Sequence, residues 1–529
     1  MAATAKLTRD LQKNLPTAPA AGTISEIGEI IFVGDGVCKI SGLPSACIED
    51  LVRIQAGNQQ IFALILGINL QEIEAVILGD YSRVHQGDIV QTTGDTLQIP
   101  SGEQLFGRII NPLGVALDGG PAIARSSLQP IEIPAPGVAQ RQPVATQIQS
   151  GVLVIDSLIP LGRGQRELVI GDRKSGKSRL MANLIINQRG KGIPCIYVAI
   201  GAQKAKVRAM EELLRQNGAM EYTCIVMAGS DDPSTLNYLA PYAGTAVAEY
   251  FMHRGQDVVV IYDDLSKHAK AYRQISLLLK RSPGRDAYPG DIFYLHSRLL
   301  ERSSRLRKDL GGGSLTAFPI AETQNGDLSE YICTNLMSIT DGHIYLDINL
   351  LHAGILPAVD SSASVSRIGG GVQPPLLRRV SELCGTQIAR YNEVKSFESI
   401  NTELSEETER AIKRGKRILE LFNQSSATNL DNAEIILLMH LVTAGKTDTI
   451  ELLDLPNFKK DLVTLLRTKK YASLKALSVT VKTISEIEPA YADFLSEFIS
   501  NSNLPGAATL TQEMDVVKLK PRPIIPEAN

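Results

Sequence analysis

The stretch Gly171-Asp172-Arg173-Lys174-Ser175-Gly176-Lys177-Ser178 fits the spacing G-x-x-x-x-G-K-[ST]. Those residue types in that order suit a phosphate cradle. Glycines let successive backbone N–H groups curl around anionic oxygens with no Cβ in the way. The apolar run Leu168-Val169-Ile170 ahead of it reads as a strand, and Leu180, Met181, Leu184 and Ile185 behind it share one helical face. A helix starting there adds the positive end of its dipole. In this frame Lys177 reaches the β- and γ-phosphates of a nucleotide and Ser178 holds Mg²⁺. An ordinary glycine-rich turn is the alternative, and the strand–helix context counts against it.

A second acidic element supports the first. Val258-Val259-Val260-Ile261-Tyr262-Asp263-Asp264 is a continuous apolar run closed by two carboxylates, the pattern of a buried parallel strand. An acid at the C-terminal end of such a strand faces the ligand crevice, so Asp263 is the candidate for ordering the Mg²⁺ shell through water. Alone, it reads first as a surface aspartate that caps a strand; the phosphate loop beside it turns the reading toward the metal. Further on, Gly311-Gly312-Gly313 follows a basic stretch, Leu299 to Lys308, expected to be helical, and precedes a strand. Val365-Ser366-Arg367-Ile368-Gly369-Gly370-Gly371 sets one arginine beside a glycine run. A guanidinium on a mobile loop can stabilise a transferring phosphoryl group, including one held by a neighbouring subunit. By itself Arg367 reads as a solvated loop arginine.

The elements that must hold these residues are legible from composition and period. At 529 residues the chain is long enough for two to four domains with large cores. With 54 basic and 57 acidic residues its net charge is −3, which argues against bulk nucleic-acid binding. Six scattered cysteines without a CxxC motif suggest buried thiols in a reducing compartment. The seven histidines form no HxxxH or HExxH pair, so a protein-built zinc site is not expected. No apolar run approaches a membrane span and no signal or transit segment is evident, so any membrane role is expected to be peripheral. Residues 1–22 read as a polar tail with an amphipathic piece (Leu7, Leu11, Leu15). Residues 23–99 carry short β-rich runs between glycine turns and read as a small β-barrel. Residues 100–382 alternate strand and helix patterns, the mark of an α/β domain. Residues 383–505 read as α-helical, and residues 506–529, with Pro521, Pro523 and Pro526, as a loosely ordered tail.

The motifs and their order resemble the alpha subunit of F-type ATP synthases. The resemblance is carried by Gly171–Ser178, Ile261–Gln274 (IYDDLSKHAKAYRQ), Tyr288–Ser303 (YPGDIFYLHSRLLERS), Gly311–Thr323 (GGGSLTAFPIAET), Ser338–Leu346 (SITDGHIYL) and Val365–Gly369 (VSRIG). It extends over roughly residues 22–430 and, more loosely, over the helical tail. It implies a multidomain chain: an N-terminal β-barrel, a central P-loop (RecA-like) α/β nucleotide-binding domain and a C-terminal α-helical domain. It also implies bound ATP or ADP with Mg²⁺ on the phosphate loop, with Ser178 and Asp263 serving the metal. In the catalytic beta subunits, the strand after the phosphate-loop helix ends in Gly-Glu-Arg, whose glutamate polarises water. Here the matching strand ends in Gly201-Ala202-Gln203-Lys204, which puts Ala202, or Gln203 after a one-residue slip, where the acid would stand. By the resemblance, then, this site holds nucleotide without hydrolysing it, and Arg367 enters the catalytic site of the adjacent beta subunit. Gln424 matches an adenine-side glutamine, whereas Ser426 stands at the position of a second one. Lys174 replaces the usual Gln, and Ser178 the usual Thr.

The expected partners are beta subunits in an alternating ring of three and three, a gamma shaft, and delta or peripheral-stalk subunits reached through the N-terminal region. The expected place is the cytoplasmic face of a bacterial inner membrane, or the equivalent organelle face. Two other readings stand beside this one. A self-sufficient ATPase of the same superfamily, such as a secretion ATPase or a Rho-like helicase, would want a glutamate after Gly201. A nucleotide-free scaffold would not need Lys177, Ser178 and Asp263.

Overall fold

The computed structural model describes residues 26–395, 405–425, 428–501 and 510. The N-terminal tail with Leu7, Leu11 and Leu15, the Ser426 position and the proline-bearing C-terminal tail lie outside the described residues.

Six strands close an antiparallel barrel: β1 (Ile27–Gly34), β2 (Val37–Gly42), β3 (Asp50–Ala56), β4 (Gln59–Ile68), β5 (Ile73–Leu78) and β6 (Ile89–Thr96), in the order β1-β2-β5-β4-β3-β6. Closure leaves no unpaired edge. Alternate residues point inward, so Ile30, Cys38, Ile40, Val52, Ile54, Ala63, Ile65, Ala75, Ile77 and Val90 fill the interior. Within this compact unit the guanidinium of Arg281 donates to Glu74 Oε2.

The second unit is built on an eight-stranded sheet. After β7 (Gln98–Pro100) come β8 (Ile109–Ile110), β9 (Leu128–Pro130), β10 (Glu167–Asp172), β11 (Cys195–Ala202), β12 (Thr223–Gly229), β13 (Asp257–Asp263), β14 (Ser314–Thr323), β15 (Gly342–Leu346) and β16 (Val365–Ser366). The sheet order is β16-β15-β10-β14-β13-β11-β12-β8, while β7 and β9 pair separately. All pairings within the large sheet are parallel except β15 with β16. Parallel strands are covered on both faces, which is why β11 to β14 are apolar almost throughout. Helices such as Lys177–Ile186, Lys204–Gln216 and Ser234–Met252 supply the crossovers.

Beyond Pro375 the described residues form mainly helices: Pro375–Val394, Glu406–Phe422, Asn432–Thr443, Leu455–Leu466, Ala472–Thr480 and Ile484–Asn501. Helix Asn432–Thr443 is buried on every side and packs into the same core as the sheet unit. It starts at a capping box in which Asp431 accepts from the Glu434 N–H and Glu434 accepts from the Asp431 N–H.

One local expectation fails. The helix before the glycine run covers Ile292–Leu300 and stops there. Residues 301–307 are drawn into extended contacts: the Leu306 N–H donates to Gly313 O, the Leu315 N–H to Ser304 O, and Arg305 bridges Ser314. The cause is burial. Arg302 is inaccessible to solvent and donates from Nε and Nη2 to Glu249 at 2.8 and 2.5 Å, a pairing that a straight solvated helix would forgo.

Candidate functional site

The phosphate loop connects β10 to helix Lys177–Ile186. Gly171 has φ +155, and a Cβ there would lie 2.4 Å from Leu346 O and 3.0 Å from Ser175 Oγ. Gly176 caps the helix at φ +101, in the left-handed region that favours glycine. Lys174 also adopts positive φ, +66. The Ser175 N–H closes the turn on Asp172 O at 3.2 Å. The Asp172 carboxylate accepts from Thr323 Oγ1 at 2.6 Å and from the Gly326 N–H at 2.9 Å. Arg173 and Lys174 are exposed at the rim.

Lys177 is buried, and its Nζ donates to Gly171 O and Asp172 O at 2.7 and 2.6 Å. Burial pulls its pKa below the ordinary lysine value, opposed by the charges of Glu322, Asp264, Asp263 and Asp172. Ser178 Oγ donates to Asp263 Oδ2 at 2.5 Å. The expected metal pair thus meets between the first turn of helix Lys177–Ile186 and the C-terminal end of β13. Tyr197 donates to the same Oδ2 at 2.5 Å, and burial together with the Asp263 charge holds the phenol protonated far above its ordinary range. Next to it, Lys267 Nζ lies 3.0 Å from the buried Asp264 Oδ2.

A cavity of about 600 Å³ opens on this side of the loop. Arg173, Lys174, Lys177, Lys206 and Lys267 give it a cationic lining, and Ala202, Val207 and Met210 an apolar one. Ala202 ends β11, and Gln203 is the exposed residue that begins helix Lys204–Gln216. The cavity is not free of carboxylates. Glu322, near the end of β14, lines it, with Oε2 3.7 Å from Arg173 Nε. Glu322, Tyr197 and Lys267 were not identified from sequence, because only the sheet order brings β14, β11 and helix Leu265–Leu278 around the loop.

A smaller cavity of about 120 Å³ lies across the loop, walled by Leu346, Leu351, Leu356, Pro357 and Val152. Gln424 reaches it from the helical region, but its amide is committed to backbone. Oε1 accepts from the Leu153 N–H at 3.0 Å, and Nε2 donates to Gly151 O at 2.7 Å and to Thr428 O. Asp156 secures the same turn, accepting from the N–H groups of Ser150 and Gly151, both at 2.8 Å. Burial pushes its pKa up to about 6.

Arg367 stands apart from all of this. It follows β16, whose Ser366 pairs with Gly342, which in turn pairs with Glu167 at the start of β10. The loop leaves the other end of β10, five residues on, a span of about 16 Å at strand rise. The Arg367 N–H donates to Asp341 O at 2.9 Å and Nη1 to Thr340 O at 3.3 Å, while the residue remains exposed. The loop expected to be mobile is therefore tied at its start by a short edge strand.

The residues present fit a Mg-nucleotide. The loop has a cradle that a Cβ on Gly171 would obstruct, and Ser175 Oγ is buried there without a hydrogen-bond partner among the described residues. A hydroxyl–carboxylate pair suits Mg²⁺, a buried lysine suits phosphate, and the apolar cleft suits a base. This geometry defines a P-loop nucleotide-binding protein with a β-barrel before it and a helical region after it. Residues 151–366 match the ATP synthase alpha/beta family, nucleotide-binding domain, and residues 373–498 match the ATP synthase alpha/beta chain, C terminal domain. The chain belongs to the ATP synthase alpha/beta family across these two domains. Both matches embrace alpha and beta chains alike, so the choice between them rests on the site.

Proposed function

We propose that this chain is the non-catalytic, alpha-type subunit of an F-type ATP synthase. In this reading it binds Mg-ATP or Mg-ADP, alternates with beta subunits around a gamma shaft, and lends Arg367 to the adjacent beta site. The observation that carries the reading is the separation of its two functional ends. Arg367 lies a full strand length from its own phosphate loop, and the strand that should present a water-activating acid ends in Ala202.

Bound Mg-nucleotide brings the phosphoryl chemistry; the chain's residues bind and orient. Lys177 and the start of helix Lys177–Ile186 neutralise phosphate charge. Ser178 and Asp263 hold the metal, and Tyr197 fixes the Asp263 carboxylate. Gly171 to Ser178 form the cradle, and Gln203 borders its outer cavity. Gln424 shapes the base cleft through its backbone bonds rather than reading the base edge. In trans, a planar guanidinium at position 367 stabilises charge spreading over a transferring phosphoryl group. Coupling to ion transport, stalk contacts through the N-terminal region and peripheral attachment to the membrane sector belong to the same proposal. Among the described residues, no helix is long and apolar enough to cross a membrane.

One observation favours the self-sufficient ATPase instead: Glu322 lines the outer cavity. ATP hydrolysis by the isolated chain separates the two. The non-catalytic reading expects no turnover above background. Turnover abolished by Glu322→Gln would make this chain its own catalyst.

A further inference from the structure

The outer cavity carries more positive charge than the nucleotide role proposed above uses. Lys177, Ser178 and Asp263 serve phosphate and metal. The lining also takes in helix Lys204–Gln216, through Lys206, Val207 and Met210, and the small Ala202 at the end of β11. At about 600 Å³ the cavity falls in the range that small ligands fill, about 300–1,000 Å³.

Its remaining carboxylates already have their cations. Glu322 Oε2 lies 3.7 Å from Arg173 Nε. The buried Asp264 meets Lys267 twice: Oδ1 accepts the Lys267 N–H at 2.8 Å, and Oδ2 lies 3.0 Å from Nζ. Arg179, which lines both cavities, is engaged as well. Lys174 and Lys206 are left over. Both line the cavity, both are exposed, and neither has an ion-pair partner among the described residues. Helix Lys204–Gln216 opens with no acidic residue in its first turn and no side-chain cap, so its positive end adds to the excess. Two unmatched ammonium groups around one cavity carry the charge that a phosphate dianion needs.

Lys267 is fixed in place beside them. Gly201 lies against its stem, where a Cβ would come within 3.1 Å of Lys267 Cδ. The Gly201 N–H is anchored on Asn237 Oδ1 at 2.7 Å. With φ at +56, this turn is in the left-handed region that favours glycine, and it leaves the path open for Lys267 to reach the cavity.

We propose that the outer cavity is a second oxyanion site, which holds one phosphate group beyond the γ-phosphate position. Lys174 and Lys206 supply the charge, and Lys267, steadied by Asp264, supplies an oriented donor. Glu322 opposes the anion and is offset by Arg173. The phosphate comes either from free inorganic phosphate or from the end of a polyphosphate chain longer than three. The proposal rests on the Mg-nucleotide assignment made above.

The test uses the purified full-length chain in Mg²⁺. Equilibrium dialysis with radiolabelled phosphate at saturating Mg-ATP counts phosphate held beside the nucleotide. Parallel titrations compare adenosine 5′-tetraphosphate with ATP. Free phosphate as the source predicts one phosphate per chain retained beside Mg-ATP. A longer chain as the source predicts tetraphosphate binding about tenfold tighter than ATP, with no separate phosphate retained. Either gain should fall about tenfold in Lys206→Gln, the lower end for a hydrogen bond to a charged group because this lysine is exposed. Lys270→Gln changes an exposed lysine outside the cavity lining and should alter the gain less than twofold.

No phosphate retained beside Mg-ATP, together with a tetraphosphate that binds no tighter than ATP, overturns the second site. So does a gain that Lys206→Gln and Lys270→Gln weaken equally. A wild-type chain that binds no Mg-ATP would instead contradict the phosphate-loop assignment, so the two failures are told apart.

Discussion

Lys177→Ala should remove tight Mg-nucleotide binding and leave the fold intact. A hydrogen bond to a charged group contributes about 1.5–3 kcal/mol, and a lysine spanning two phosphates makes about two such bonds, an upper range of about 3–6 kcal/mol. The structure trims this figure. Lys177 Nζ already donates to two loop carbonyls at 2.7 and 2.6 Å, so phosphate contacts are gained partly by exchange. Burial also disfavours its charged form. The lower bound of about 3 kcal/mol is the better expectation, which is roughly a hundredfold in Kd. Equilibrium titration of the purified chain with Mg-ATP measures it. A thermal melt provides the control: ligand at about a hundred times Kd adds about 2.7 kcal/mol to the wild type, and the variant should lack that gain at the same concentration. Its melt without nucleotide should match the wild type within a few degrees. An affinity within threefold of wild type would refute the assignment of the phosphate site.

Asp263→Asn should weaken Mg²⁺ dependence more than nucleotide affinity in EDTA, because the carboxylate that receives Ser178 and Tyr197 loses its charge; paired titrations with and without Mg²⁺ check this. Arg302→Met should lower the unfolding midpoint by an amount corresponding to about 3–5 kcal/mol, since it strands buried Glu249 without its partner; denaturant melts report it. Burial depresses His296 to about 4 and lowers His268 well below its ordinary value, where the two rings share a 3.1 Å hydrogen bond. A buried imidazole held below its unfolded pKa binds fewer protons when folded, so its contribution is full above about pH 6.5 and is lost as pH falls toward 4. His296→Gln should therefore converge with the wild type in stability over that window, by about 3 kcal/mol, in melts run from pH 7 to 4.5.

The sequence was most informative where a periodic pattern or a local spacing does the work. The apolar runs of β10 to β14 and the phosphate loop needed no long-range contact to be recognised, because parallel strands are buried on both faces. Strands β3 and β6 were harder. Asp50–Ala56 and Ile89–Thr96 carry polar residues on their outward face, including Arg53, whose Nη2 donates to Gln91 Oε1 at 3.0 Å across the pair. The basic stretch after Leu300 looked helical by composition, yet Arg302 is spent on a partner 53 residues away. In the site, Asp263 and Ser178 could be paired through the motif. Tyr197 and Glu322 could not, because their place beside the loop depends on which strands become neighbours. Gln424 was located from sequence, but nothing in its local pattern indicates that its amide binds the turn at Gly151.

Turnover of a reconstituted ring carrying Arg367→Ala tests the central proposal most directly. An arginine acting in trans is worth roughly 10³–10⁵ in rate, or about 4–7 kcal/mol of transition-state stabilisation. The variant should assemble, retain nucleotide on its own phosphate loop, and lose at least about a thousandfold in multisite hydrolysis. Arg367→Lys should recover little, since an ammonium lacks the planar fork. The isolated wild-type chain, assayed alongside, should hydrolyse no ATP above background. Near-normal turnover by the Arg367→Ala ring, or robust hydrolysis by the chain alone, would contradict a non-catalytic subunit that donates its arginine to a neighbour.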